Sequence, residues 1–384
     1  MKTIHVPHPL RSFGAALAIA GLQFSSAVLP SAYADDQEGK AKAKFFDWEN
    51  LVSDIPGVAD RTDEHLVNPW GLVINPGAGI FWVADNGTGF STLYRPDGTI
   101  VPLVVTIPPT AADTQTPPHA KPTGIVFNPF AQMLPNAFPL SNDKPAVFIF
   151  DGEDGSITAW NGGTSAEIEV DNSSNESIYK GLALAVRKNG EPTLYAANFH
   201  NGTVDIFDSK FKPVTITGSF VNPNLPPVPK NASGWAPFNI ASIDGHLYVT
   251  FAAQDADKED DVAGAGFGFV DVFDTEGHYL RRLITGGELN APWGLAKVPG
   301  HFGRFDDEIL LVGNFGDGNI NAYDVRTGGF RGKLLHRTGQ PLEFNGLWAL
   351  FFFHDHLYFT AGIADEEHGL FGFIHPTEKE KSDD

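Results

Sequence analysis

One pattern recurs along this sequence about every 56 residues, and it limits the fold more than any other feature. Strand-like segments that end in an aromatic residue and a polar turn occur as "STLYRPDG", "SITAWNGG", "TVDIFDSK", "FVDVFDTEG", "NINAYDVRTGG" and, more weakly, "LFGFIHP". The aromatic residues that align are Tyr94, Trp160, Phe207, Phe273, Tyr323 and Phe373. A unit of this size matches one four-stranded blade of a β-propeller.

Each copy contains further parts of a blade. A segment with Gly or Asn precedes the first strand, as "PWGL", "PTGI", "KGLA", "APFNI", "PWGL" and "NGLW". A second apolar strand follows, as in "FWVADN", "VFIFDG" and "LYVTFA". Alternating β-branched and aromatic residues between Gly and Asp turns favour strands throughout. We therefore predict an all-β fold, a six-bladed β-propeller of four-stranded antiparallel blades.

The sixth copy ends at Pro376, before a fourth strand can form. The segment "FFDWENLVSD", residues 45–54, precedes the first copy and has no blade of its own. We predict that it supplies the missing strand, so that the N-terminal strand closes the ring. Closure of this kind removes exposed sheet edges.

The two ends of the chain predict its processing and location. Lys2 and Arg11, the apolar run "FGAALAIAGL" and "AYA" ending at Ala34 have the order of a secretory signal peptide, and the apolar run is too short to span a bilayer. We assign residues 1–34 to the signal peptide, 35–376 to a single propeller and 377–384 to a charged flexible tail. The mature protein is expected to be secreted or periplasmic, without a stable membrane anchor.

Composition excludes several classes of function. The chain of 384 residues has 47 acidic against 26 basic residues, a formal net charge of −21, and no cysteine. Nucleic acid is not an expected partner, because no basic patch is available to offset phosphate repulsion. Disulfides and thiolate metal ligands are excluded. We expect a soluble monomer whose stability comes from packing and topology.

Several longer motifs resemble a known family. "NLVSDIPG", "LVNPWGL", "GWAPFN", "GFVDVFDTEG", "NAPWGLA", "LLVGNFGDGNINAYD" and "GLWAL" are similar to segments of an uncharacterised family of secreted bacterial β-propeller proteins. Some members of that family carry a C-terminal PEP-CTERM sorting segment, which this sequence lacks. The resemblance implies a six-bladed propeller and export, and it brings no established activity.

Propeller geometry predicts where a ligand binds. The segment before each first strand and the loop between second and third strands lie on one face, around the mouth of the central channel. Polar residues predicted at this face are Asn68, Asp85, Lys121, Lys180, Asn198, Asn239, Asn314, Asp317 and Asn345. Clustered amides and charges at a concave mouth predict a site for a small molecule or an extracellular or envelope partner. Alternatively, these side chains satisfy turn backbones and bridge waters.

Other functions stay open at this point. "NGLWALFFFHDHLYFTAG" resembles the inner strands of gluconolactonase-like propellers, which implies Asn345, and more weakly Asn239, as ligands of a divalent cation such as Ca²⁺ in a lactone or ester hydrolase. The acidic run "DADKEDD", residues 255–261, only partly matches a Ca²⁺ loop, and a solvated loop is favoured. The tryptophans Trp70, Trp293 and Trp348 are predicted to pack in the core or, alternatively, to form a collar around a ligand. A structural role that uses the outer blade surfaces is the third class.

The signal-peptide assignment predicts the N-terminus of exported protein. We expect cleavage after Ala34, so that N-terminal sequencing of the secreted form begins at Asp35. Exported protein that still begins at Met1 contradicts the assignment.

Overall fold

A computed structural model describes residues 44–111, 119–134 and 136–378. This part of the chain is all-β, and its two helices are single 3-10 turns at Pro129–Gln132 and Ser173–Asn175. Within these residues no helix is long and apolar enough to cross a membrane. The predicted signal peptide and residues 379–384 of the predicted tail lie outside the described residues.

The described residues form 26 strands. The first fourteen are β1 (Phe45–Ser53), β2 (Arg61–Thr62), β3 (Pro69–Asn75), β4 (Ile80–Asp85), β5 (Phe90–Tyr94), β6 (Ile100–Thr106), β7 (Pro122–Phe127), β8 (Phe148–Gly152), β9 (Ser156–Trp160), β10 (Glu167–Asp171), β11 (Tyr179–Val186), β12 (Pro192–Asn198), β13 (Thr203–Phe207) and β14 (Gly234–Ile243). The others are β15 (His246–Gln254), β16 (Phe269–Phe273), β17 (Tyr279–Thr285), β18 (Pro292–Lys297), β19 (His301–Phe302), β20 (Phe305–Asp306), β21 (Ile309–Asn314), β22 (Ile320–Asp324), β23 (Phe330–Lys333), β24 (Leu347–Phe353), β25 (His356–Ala361) and β26 (Leu370–Thr377).

These strands form a six-bladed propeller, which confirms the predicted fold. The blades are β3-β4-β5-β6, β7-β8-β9-β10, β11-β12-β13, β14-β15-β16-β17, β18-β21-β22-β23 and β24-β25-β26-β1. In the third blade the chain continues the ladder after β13, because the Val214 N–H donates to the Ile206 carbonyl at 2.9 Å. The short strand β2 extends the last blade by parallel pairing with β1, and β19 and β20 form a small separate hairpin.

Both faces of each blade are buried, because every blade packs between two others. In β4 the side chains of Phe81 and Val83 join one hydrophobic cluster, whereas Trp82 and Ala84 join another on the opposite face. Successive side chains of a strand point to opposite faces, so an apolar residue is needed at nearly every position. This explains why the second strands are continuously apolar.

The recurring glycine of the first strands has a steric cause. A Cβ atom on Gly124 would lie 2.5 Å from the Leu182 nitrogen of the next blade, and one on Gly294 would lie 2.6 Å from the Trp348 carbonyl oxygen. At Gly124 and Gly294 the first strands of neighbouring blades therefore approach too closely for a side chain. The approach brings the residue before each glycine close to the propeller axis.

The N-terminal strand closes the ring as predicted. Strand β1 pairs antiparallel with β26, from Phe45 opposite Thr377 to Ser53 opposite Leu370. The Phe46 ring is fully buried and stacks on Phe302 and Phe305 of the preceding blade, with ring centroids 4.9 and 5.9 Å apart. The closing strand thus joins the last blade to its neighbour as well as completing it.

The closure can be tested with single substitutions in β1. Phe46→Ala removes a buried ring and should lower the free energy of unfolding by about 3–5 kcal/mol, as for other large-to-small core changes. Trp48→Ala in the same strand is the matched control, because the Trp48 side chain is 39% exposed and should cost clearly less. Denaturant unfolding measures both. A Phe46→Ala protein as stable as its parent shows that β1 does not close the ring in solution.

Candidate functional site

One residue of each blade reaches the propeller axis from the same position of the first strand. By strand register these residues are Trp70, Thr123, Lys180, Phe238, Trp293 and Trp348. Each of them directly follows the residue at which the pairing of the first and second strands shifts register, for example Pro69 in β3 and Pro237 in β14. The centre of the channel is therefore lined by four aromatic rings, one hydroxyl and one ammonium group.

The aromatic members fill the axis. Trp348 stacks on Trp70, with centroids 3.4 Å apart, and on Phe315, with centroids 4.1 Å apart. Trp293 meets the rings of Trp70 and Trp348 edge-on, and its Nε1 donates to the Lys180 carbonyl at 2.7 Å. All three tryptophans are at most 4% exposed. This aromatic plug, Trp70, Trp293, Trp348, Phe238 and Phe315, agrees with core packing and leaves no open collar.

Lys180 lies at the channel mouth beside this plug. Its side chain is 2% exposed, and Nζ lies 5.2 Å from the Trp70 ring centroid. The ammonium donates to Glu153 Oε1 at 2.7 Å and to Asp260 Oδ1 at 3.2 Å. Burial opposes the charge, but these two carboxylates outweigh it and raise the pKa of Lys180 above that of an ordinary lysine. Lys180 therefore remains protonated.

A continuous network extends from Lys180 around the mouth. Glu153 Oε2 accepts a bond from Asn86 Nδ2 at 3.0 Å. Asn68 Nδ2 donates to Glu366 Oε2 at 2.7 Å and, at 3.4 Å, to Asn86 Oδ1. Trp348 Nε1 donates to Asn68 Oδ1 at 3.0 Å, which connects the network to the plug. We call Asn68, Asn86, Glu153, Lys180, Asp260 and Glu366, with the adjacent Asp261, the mouth network, and its members come from five blades.

Carboxylates outnumber cations in the mouth network. Burial raises the pKa of Asp261 to about 7, opposed by Lys180 and assisted by the negative charges of Asp260 and Glu366. Burial also raises the pKa of Glu366 above its ordinary value. Burial would do the same to Glu153, but Lys180 and Lys121 outweigh it and leave the pKa of Glu153 below the usual range. When all four carboxylates are ionised, they carry more negative charge than Lys180 and Lys121 neutralise.

Three of the predicted site residues take part in this arrangement. Asn68 and Lys180 are members of the mouth network, and the charge of the partly buried Lys121 acts on Glu153. Asn68 and Lys121 directly precede the first strands of their blades, as predicted, whereas Lys180 is the second residue of β11.

Other predicted site residues make hydrogen bonds to nearby turns and strands and do not join the mouth network. Asn198 donates to Ser177 Oγ at 3.0 Å and to Asp205 Oδ2 at 2.9 Å. Asn314 donates to the Glu288 carbonyl at 2.8 Å and to Asp317 Oδ1 at 3.0 Å. These contacts match the alternative in which such residues satisfy turns. Asp85 is fully buried at the end of β4.

The two residues predicted as metal ligands lie in different surroundings. Asn239 is buried, and its carboxamide donates to the Trp293 carbonyl at 2.8 Å and accepts from the Ile240 N–H at 2.7 Å. Asn345 is exposed in the turn before β24. Among the described residues no group of three or more histidine, aspartate and glutamate side chains is arranged to hold a metal ion.

Sequence reasoning missed most of the acidic members of the mouth network. Asp260 and Asp261 belong to the acidic run that the sequence predicts to be a solvated loop, and Asp260 contacts Lys180 from this loop. Glu153 follows the second strand of its blade and Glu366 lies in the loop before β26, at the face already predicted. Their position after a second strand was the signal that could have identified them.

Comparisons with known proteins place the chain in a family. No family model matches the sequence. The chain is 30% identical over 336 residues to the uncharacterized protein L690 of Acanthamoeba polyphaga mimivirus, an alignment that covers 84% of each protein. The chain belongs to the family of this viral protein. A second relative in the same virus, the uncharacterized protein R648, is 29% identical over 333 residues, covering 84% of this chain and 78% of that protein.

Solved structures support the fold alone. The soluble aldose sugar dehydrogenase of Escherichia coli superimposes with a TM-score of 0.53 at 13% identity, covering 86% of this chain and 100% of that chain. A glucose dehydrogenase gives a TM-score of 0.51 at 13% identity, covering 86% of this chain and 99% of the other. The relatives L690 and R648 are both viral, and the resemblance to secreted bacterial proteins stays a prediction.

The plug and the exposed turn should differ in their effect on stability. Trp293→Ala removes a buried ring and the bond from its Nε1 to the Lys180 carbonyl, and should lower the free energy of unfolding by about 3–5 kcal/mol. Asn345→Ala should change it by less than about 0.5 kcal/mol, because Asn345 is exposed. Thermal and denaturant unfolding measure both changes. Similar losses from the two substitutions contradict the assignment of Trp293 to a packed axis.

Proposed function

We propose that the protein is a binding module that takes its ligand at the channel mouth. The observation that carries this proposal is the mouth network, in which loops of four blades place charged and amide side chains around one buried lysine of a further blade. A rigid ring of strands supports these loops, and binding residues are often presented on loops of a rigid scaffold. The aromatic plug fills the axis beneath, so the ligand approaches from the mouth side.

The charge of the site favours a small cationic ligand. Lys180 acts on all four carboxylates, Asp260, Asp261, Glu153 and Glu366, and Lys121 acts on Glu153. The pKa values of Asp261 and Glu366 are raised mainly by burial and in part by neighbouring carboxylates. An ammonium group placed among them relieves this repulsion, whereas an anion adds to it. A diamine such as putrescine is therefore a suitable probe. Glucose serves as a neutral comparator, since the fold neighbours include sugar dehydrogenases, and citrate serves as an anionic one.

We also propose that the protein acts outside the cytosol as a soluble monomer. The signal-peptide pattern of residues 1–34 supports this location. The N-terminal sequence of exported protein tests it separately from ligand binding.

The proposed site predicts pH-dependent binding of the cationic probe. Putrescine should bind more tightly at pH 8 than at pH 6, by up to about tenfold, because Asp261 changes from mostly protonated to mostly ionised through its pKa of about 7. Isothermal titration calorimetry at the two pH values measures the effect. Any binding of glucose should not change between the two pH values, and citrate should not bind.

Substitutions in the mouth network test whether putrescine binds there. Asp261→Asn should abolish most of the pH dependence, and Glu366→Gln should weaken putrescine binding several-fold. Asp355→Asn is the control, since Asp355 is an exposed carboxylate in the hairpin between β24 and β25 on the opposite face. Putrescine that binds equally well to Asp261→Asn and Glu366→Gln proteins, or fails to bind the parent at millimolar concentration, contradicts the proposed site.

A further inference from the structure

A surface cavity of about 370 Å³ lies at the edge of the fourth blade. It is bounded by residues 226–230 of the connection between the third and fourth blades, by Trp235 near the start of β14, by residues 265–268 before β16 and by residues 285–286 at the end of β17. The segment before a first strand and the loop between second and third strands belong to the face of the channel mouth. The cavity shares no residue with the mouth network, so an inference from it does not depend on the proposed function.

One wall of the cavity is a proline-rich segment that the fourth blade holds in place. Residues 221–230 include four prolines, which restrict the backbone before any ligand binds. Trp235 Nε1 donates to the Pro226 carbonyl at 3.1 Å. The buried Asn222 donates through Nδ2 to Asp271 Oδ2 at 2.5 Å. This wall is therefore formed by the protein alone, and little order has to be gained when a ligand enters.

The opposite wall is fixed by the fifth blade and carries a half-buried aromatic ring, Phe267. The Phe267 carbonyl accepts from the Ala291 N–H at 2.8 Å, and the Gly286 N–H donates to the Gly268 carbonyl at 3.0 Å. Gly286 has a φ of +55°, a conformation that favours glycine, and its missing side chain keeps the space beside Phe267 open. The ring is thus presented to the cavity by a rigid backbone.

Apolar side chains are exposed along the proline-rich wall. Val221, Leu225 and Val228 are 64%, 55% and 46% exposed, although they lie within eight residues of one another, and Val228 itself lines the cavity. Single exposed apolar residues are common on soluble proteins, whereas grouped ones mark binding surfaces. The cavity and the side chains beside it therefore suit the apolar part of a ligand.

Lys230 supplies the charge at this cavity. Its side chain is exposed, and within the described ranges its ammonium group has no carboxylate partner. The guanidinium of Arg282, which reaches the Asn224 carbonyl at 3.4 Å, is instead paired with Asp271. An unpaired lysine in a chain of net charge −21 attracts the anionic end of a ligand.

We propose that this cavity binds a small molecule that has an apolar ring body and one carboxylate. The ring body lies between Val228 and Phe267, and the carboxylate meets the Lys230 ammonium at the rim. The volume is in the range of small-molecule sites, about 300–1,000 Å³. Burial of the ring supplies most of the affinity, and the lysine selects the sign of the charge. The preference is opposite to that of the mouth network, which favours cations.

The experiment uses the mature protein and three probes in isothermal titration calorimetry. 1-Naphthylacetate carries both features and should bind at millimolar concentration or below. 2-(1-Naphthyl)ethanol has the same rings without the charge and should bind at least about threefold more weakly, as expected for the loss of an exposed ion pair. Acetate, which lacks the rings, should not bind. A parent protein that does not bind 1-naphthylacetate, or that binds the alcohol equally well, overturns the proposal.

Two substitutions test the location of the site. Lys230→Gln should weaken 1-naphthylacetate at least about threefold and leave the affinity for the alcohol unchanged. Phe267→Ala should weaken both ring compounds severalfold, because it removes one apolar wall.

Each substitution has a matched control that lies away from the cavity. Lys188→Gln removes an exposed lysine of the hairpin between β11 and β12, and Phe330→Ala removes an exposed ring of the fifth blade. Both controls should bind 1-naphthylacetate as the parent does. If the Lys230→Gln and Phe267→Ala proteins also bind it like the parent, the acid binds elsewhere and the proposal is wrong.

Discussion

The close approach of the six first strands at the propeller axis is the constraint on which the other features depend. Gly124 and Gly294 are needed because the next blade leaves no space for a Cβ atom. The residue before each glycine must then share a narrow axis with five others. Large aromatic rings fill that space well, and they dominate it here. Lys180 is the charged member of this set, and its buried ammonium group must be matched by carboxylates from loops above it.

The buried charge of Lys180 requires carboxylates at the channel mouth, but the mouth network contains more carboxylates than are needed to balance it. Glu153 and Asp260 together already balance Lys180, and Glu366 and Asp261 add negative charge. Buried ion pairs contribute little net stability, because desolvation offsets much of the attraction. Additional carboxylates in the same place increase repulsion between like charges. Such an arrangement is better suited to receiving a ligand than to stabilising the fold.

The fold could be predicted because the strand pattern repeats in every blade. The acidic residues of the site could not, because they lie in loops that do not repeat. The aromatic residues from Tyr94 to Tyr323 recur because each blade repeats the same packing, and Phe45 to Ser53 could be assigned by what the last blade lacked. Loops do not repeat in this way, so the reach of Asp260 to Lys180 was not visible in the sequence. Asn239 shows a subtler limit. It occupies the position that is glycine in four other blades and Ala349 in the last, and its side chain donates to the Trp293 carbonyl of the next blade.

The pairing of β1 with β26 has a consequence for how the chain reaches this structure. Phe45 finds its partner, Thr377, at the far end of the described sequence, whereas strands within each blade pair with near neighbours. Contacts between distant residues are slow to form, because the loop they close costs conformational entropy before any contact stabilises it. During synthesis the N-terminal strand therefore waits, without its partner, until almost the entire propeller has left the ribosome. Its apolar residues, including Phe46, must be kept from other strand edges for all of that time.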